Sequence, residues 1–196
     1  CQDRSQFQSQ VVLPRGSALK GPVEALGVPV HEIDAMADRS MDLSAVAPLR
    51  RVIRAVDPDL VHTHGSMSAR MAARLCGKKV IYTKHCVFPL GRVMGSPVGR
   101  LAGHACLSDG AIAVSPSVRE LLLQSGVPDR KIHVLFNGVA PLAAPTEEER
   151  TALRAEYGFG PEDFVVGILA RVEEYKGHSV LLDAAEQLLS QGRRVK

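Results

Sequence analysis

Tryptophan is absent from the 196 residues, and the whole aromatic share is only 4%. A chain so poor in rings offers no stacking platform for single-stranded nucleic acid, and none is expected as a partner. Also missing is any apolar run near the ~20 residues a membrane-spanning helix needs, which leaves peripheral membrane association open. The four cysteines, Cys1, Cys76, Cys86 and Cys106, form no C-x-x-C pair. With no secretory leader pattern either, reduced thiols and a cytoplasmic setting are expected. No basic block occurs: the 24 Lys and Arg residues are dispersed, and against 21 acidic residues they leave a net charge of +3. That balance suits a phosphate-bearing ligand or an anionic surface without demanding either. Because the chain opens on Cys1 and runs almost directly into a strand pattern, it is expected to be a piece of a longer protein.

What is present is a 45% apolar content carried by Val, Leu and Ala, enough for a buried core of the parallel α/β kind. Strand and helix signals alternate, which predicts βαβ units around a parallel sheet. The predicted strands are 7–13, 28–33, LVHTH at 60–64, KVIYTK at 79–84, AIAVS at 111–115 and KIHVLFNG at 131–138. Between them Leu49, Val52, Ile53 and Val56 recur at helical spacing, and Asp57-Pro58-Asp59 stops that helix. Ser66 is the expected N-cap of a helix reaching Leu75. Residues 85–100 read as a loop leading into a helix near 98–106. The Pro- and Ala-rich VAPLAAPT, 139–146, has no core pattern and reads as a linker. Thr146 and Glu149 then have capping-box spacing ahead of a charged helix. FVVGILA, 164–170, is expected to open a second sheet as a buried strand, with RRVK as the first residues of another. The organisation predicted is a first Rossmann-like domain over 1–139, a linker and helix over 140–160, and the start of a second domain over 161–196.

Several residues can carry chemistry. Arg171 and Lys176 in ARVEEYKGH follow the FVVGILA strand, and the carboxyl end of a parallel strand is where α/β sheets bind ligands. The following helix would add unpaired N–H groups suited to phosphate, and Gly177 would allow close approach. Both cations also fit a solvated loop. His62 and His64 form an H-x-H on one face of a strand. Such a pair can begin a zinc site, yet no H-E-x-x-H or nearby carboxylate completes one, and packing or capping at the strand end is the alternative. His85, just beyond KVIYTK, can donate a hydrogen bond or act as a general base, or it can be a structural loop histidine. Its neighbour Cys86 reads as a bystander, since adjacent residues seldom face each other as nucleophile and base. Ser115 reads first as a helix cap and second as a cleft contact.

Taken in order, PDLVHTHGS (58–66), VIYTKH (80–85), DGAIAVSPSVRELLLQSGVPDRKIHVLFNGV (109–139) and VVGILARVEEYKGHSVLLDAAEQL (165–188) resemble glycosyltransferase family 4. The resemblance implies a GT-B enzyme: two facing Rossmann-like domains with a nucleotide-sugar site between them. It implies that Arg171 and Lys176, in the family's R-x-x-x-x-K-G positions, grip the donor diphosphate and stabilise the departing nucleotide. His85 matches the histidine near the donor sugar and is the implied catalytic residue, orienting the sugar or transferring a proton. Gly65 and Ser66, with His64 beside them, match the acceptor-side loop, and Asn137 and Gly138 match a hinge. The implied reaction moves a hexose-type sugar from a nucleotide-sugar to a hydroxyl of a sugar or lipid-linked acceptor, with retained anomeric configuration, in glycan, glycolipid or cell-envelope polysaccharide synthesis. No metal or other cofactor is implied, in keeping with the lack of a D-x-D at a strand end.

Three departures from the family pattern stand out: no first strand with its Gly-rich loop, no E-x7-E segment, and local variants at TKHCVF and at Glu173-Glu174-Tyr175. Rival readings are a metal-dependent hydrolase built on His62 and His64, a non-catalytic truncated binding domain, and a GT-B epimerase.

Overall fold

The structure, a computed structural model, describes residues 3–34, 40–87 and 106–196. It divides into two compact units, Cys1–Gly138 and Val139–Lys196. In the first unit a parallel pair comes first, β1 (Val11–Pro14) beside β2 (Val30–Ile33), joined through helix α1 (Lys20–Ala25). The predicted start of β1 at Phe7 is corrected. Phe7 sits in a turn, its N–H donating to the Asp3 carbonyl at 3.0 Å, and only from Val11 does the backbone find a strand partner.

Helix α2 (Val46–Val56) buries Leu49 and Ile53, two of the residues whose spacing predicts it. It ends where Asp57 turns left-handed at φ 49°, a conformation Asp tolerates better than most residues, with Pro58 unable to continue the helix. A four-stranded, all-parallel sheet follows in the order β3 (Leu60–His64), β4 (Lys79–Lys84), β5 (Gly110–Ala113), β6 (Ile132–Val134). Helix α3 (Met67–Leu75) connects β3 to β4, and α4 (Pro116–Gln124), capped by the Ser115 hydroxyl, connects β5 to β6. Strand β6 is shorter than KIHVLFNG predicts. The Leu135 N–H still donates to the Ala113 carbonyl at 2.9 Å, but pairing stops there and Phe136 is exposed. The loop and helix expected between 85 and 106 fall largely outside the described residues.

Two cores hold this unit together. Ile33, Leu49, Ile53, Ala72, Ala73 and Val80 join α2 and α3 to the strands. Tyr82, Ala111, Ala113, Val118, Leu122, Val127 and Ile132 pack α4 onto the sheet. The buried Arg70 guanidinium lies 4.3 Å from the Tyr82 ring centroid, a cation–π contact on the ring face.

The second unit contains α5 (Glu147–Glu156) and α6 (His178–Ser190). Thr146 and Glu149 make both bonds of the capping box that their spacing predicts, at 3.2 and 2.8 Å. FVVGILA does not form the buried strand expected of it. It makes a single parallel bridge, Phe164 with Val195, and a Val166 N–H bond to the Lys196 carbonyl, while Val165, Val166, Ile168 and Leu169 remain exposed. A strand exists only where a second backbone takes up its hydrogen bonds, and within this unit only the short 194–196 segment does so.

Candidate active site

Residues alternate across a strand, so His62 and His64 project from one face of β3. Beside them β4 runs in register, His62 opposite Ile81 and His64 opposite Thr83, and His85 follows two residues after Thr83. The result is three imidazoles gathered at the carboxyl ends of two adjacent parallel strands, where open α/β sheets bind ligands. The His62 and His64 ring centroids are 4.6 Å apart, and those of His64 and His85 are 5.3 Å apart with the two planes at 24°. His62 Nε2 is hydrogen-bonded to the Thr83 hydroxyl at 2.8 Å, and His64 Nδ1 to His85 Nε2 at 2.9 Å. Thr83 is thus a positioning residue that sequence reasoning missed. Its signal was present, since it stands two residues before His85 on the same strand face.

The histidines bond to Thr83 and to each other and do not converge on one point. Among the described residues no three His, Cys, Asp or Glu side chains are grouped to hold a metal ion. Burial holds His62 below the ordinary imidazole range, and His64 and His85 push in the same direction. His64 is lowered by burial first and by His85 second. Folding therefore favours the neutral forms. This contribution to stability is present above the unfolded-state value of about 6.5 and is lost as pH falls through the lowered folded-state values. Gln in place of His62 keeps an amide near the Nε2 position but cannot titrate. His62→Gln is expected to lose less in thermal midpoint between neutral and mildly acidic pH than the wild type does. Equal losses would show that His62 contributes nothing to the pH dependence.

Beyond β3, Gly65 turns the chain at φ +76°, where a side chain would be strained. The Ser40 hydroxyl donates to the Gly65 carbonyl, and the Ser40 carbonyl accepts the Met67 and Ser68 N–H groups at 2.7 and 3.2 Å. Ser66 caps α3 as predicted, its hydroxyl accepting the Ala69 N–H at 3.2 Å. The first N–H groups of α3 are thereby satisfied within the protein. Asn137 and Gly138 are the last residues of the first unit.

In the second unit Arg171 and Lys176 meet around Tyr175. Arg171 donates to the Tyr175 hydroxyl at 2.8 Å, and the Lys176 ammonium lies 5.0 Å from the Tyr175 ring centroid. Glu173 pairs with Arg171 at 3.3 Å, and His178 Nε2 is hydrogen-bonded to the Arg171 carbonyl at 2.9 Å. Gly177, left-handed at φ +75°, opens α6 directly behind Lys176. A shallow cavity lined by Val172, Glu173, Glu174, His178 and Ser179 adjoins this loop. Spacing exposed the two cations but not the tyrosine that lies against both.

The all-parallel α/β fold is shared with solved glycosyltransferase structures. A glycosyltransferase from Rickettsia africae matches with a TM-score of 0.70 at 17% identity, over 93% of this chain and 58% of that one. Anabaena Alr3699/HepE in complex with UDP and glucose matches with a TM-score of 0.68 at 20% identity, over 90% of this chain and 50% of that one. The chain belongs to glycosyltransferase family 4, whose family model matches residues 2–141. Among curated proteins, D-inositol 3-phosphate glycosyltransferase 1 of Catenulispora acidiphila is 26% identical over 182 residues, 83% of this chain and 43% of that protein. The chain thus spans about half the length of these relatives. Among the described residues no helix is long and apolar enough to cross a membrane.

Proposed function

We propose that this chain works as part of a retaining glycosyltransferase that moves a sugar from a nucleotide-sugar to an acceptor hydroxyl in glycan, glycolipid or cell-envelope polysaccharide synthesis. The family match over residues 2–141 carries this reading. In support, Alr3699/HepE has been captured with UDP-glucose, a donor of the expected class.

On this reading the Arg171 guanidinium and the Lys176 ammonium take the donor diphosphate, replacing the contacts Arg171 now makes to Glu173 and Tyr175. Fixed positive charge there favours the transition state, because negative charge builds on the departing nucleoside diphosphate. His85, at the end of β4, orients the sugar or handles a proton, and His64, Gly65 and Ser66 face the acceptor. Asn137 and Gly138 serve as the hinge. Catalysis then consists of positioning plus charge stabilisation, with no metal required.

The test is product analysis with a panel of nucleotide-sugars, with and without acceptor, in the presence of a chelator. The expected result is acceptor-dependent release of nucleoside diphosphate, retained anomeric configuration by proton NMR, and no loss of rate with the chelator. Inverted product would overturn the retaining assignment, and an epimerised sugar formed without acceptor would replace transfer by epimerisation. Rate lost to the chelator and restored by zinc would return His62 and His64 to a metal role.

A further inference from the structure

We propose that His64 and His85 form one proton-sharing unit, in which His64 is a positioning residue that sets the tautomer of His85 and leaves His85 to address its ligand through Nδ1 alone. Two ring nitrogens, His64 Nδ1 and His85 Nε2, stand 2.9 Å apart. A hydrogen bond between two imidazole nitrogens holds a single proton, because one nitrogen must offer N–H and the other a lone pair. His85 Nε2 is consequently occupied by its partner.

Two states follow. With the bridging proton on His64 Nδ1, neutral His85 carries its own proton on Nδ1 and presents a hydrogen-bond donor. With it on His85 Nε2, neutral His85 presents a lone pair at Nδ1 and His64 carries the N–H on Nε2. In the second state His85 Nδ1 can take a proton from a hydroxyl: the O–H bond breaks, the Nδ1–H bond forms, and the positive charge is shared across the bridge. A second positive charge is opposed, since both bridging nitrogens would then carry hydrogen.

The surroundings act in the same direction. The two ring planes lie within 24° of each other with centroids 5.3 Å apart, so the nitrogen–nitrogen hydrogen bond runs close to both ring planes, as an in-plane N–H and lone pair require. His62 is held separately by Thr83, so it does not compete for the bridge. Among the described residues, the charged groups that act on His62 are His64 and His85, and the one that acts on His64 is His85. The pairing stands on geometry, and its use in catalysis rests on the transfer reading proposed above.

Ring-nitrogen NMR of the 196-residue chain across pH, in the wild type and in His64→Phe, His64→Asn and His85→Phe, tests the pairing. In the wild type one bridging-proton signal should correlate with both His64 Nδ1 and His85 Nε2. In His64→Phe the remaining His85 should lose the hydrogen-bonded Nε2 signal. His64→Asn places an amide near the Nδ1 position and should restore that signal, a rescue that simple ring packing would not produce. Should His64→Phe fail to fold, His85→Phe supplies the reciprocal measurement on His64. An unchanged His85 Nε2 signal between wild type and His64→Phe would overturn the pairing. Sugar transfer by the full-length protein with no bridge would overturn this inference alone, and a bridge with no transfer by the full-length protein would overturn the transferase reading alone.

Discussion

On the transferase reading proposed above, alanine at Arg171 in the full-length protein is expected to lower sugar transfer by about 10²–10³-fold, the range typical for removing one preorganised group that stabilises developing negative charge. The unfolding midpoint should barely move. Arg171 is exposed, and its partners Glu173 and Tyr175 lie within four residues in the same loop. An exposed ion pair of this kind contributes about 0–1 kcal/mol. The loss should appear in kcat and kcat/KM together if the interaction is made only as the diphosphate departs, and in KM alone if it serves ground-state binding. Lysine at this position should restore only part of the rate, because an ammonium cannot form the two-pronged contact of a guanidinium. Transfer at the wild-type rate in Arg171→Ala would remove this residue from the donor site.

Leu122→Ala should act on the other side of the ledger, costing about 2–5 kcal/mol of folding stability. The side chain is 1% exposed and lies among Tyr82, Ala111, Ala113, Val118, Val127 and Ile132. Three of these neighbours, Tyr82, Ala111 and Ala113, stand on β4 and β5, so sheet backbone limits how far the cavity can collapse. A typical domain is stable by about 5–15 kcal/mol, so the substitution removes a large fraction of the total. Urea denaturation should show a lower midpoint with an unchanged slope. Leu189→Ala is the matched control, since Leu189 on α6 is 56% exposed. Similar losses at the two positions would contradict this assignment of the core.

Much of the first unit was legible from local pattern. The H-x-H alternation placed two imidazoles on one strand face, and β3, β4 and the Ser66 cap occur where period and capping chemistry predict them. The capping box of α5 needed no tertiary partner, because both of its bonds join residues three apart. FVVGILA shows the limit of such reading. Its apolar run has strand character, but strand formation depends on a neighbouring backbone that periodicity does not report, and only the Phe164–Val195 bridge forms.

Sequence by itself determined the elements whose causes are local: the amphipathic stripe of α2, the stop at Asp57-Pro58, the caps at Ser66, Ser115 and Thr146, and the spacing of Arg171 and Lys176. It also carried the family, through motifs whose order can be read without coordinates. Tertiary structure alone decided that His64 bonds His85 across 21 residues, that Thr83 holds His62, and that Ser40 satisfies the start of α3 from 27 residues away. Those contacts depend on which strands pair and in what register, and a register is set by the packing of whole elements against a shared core.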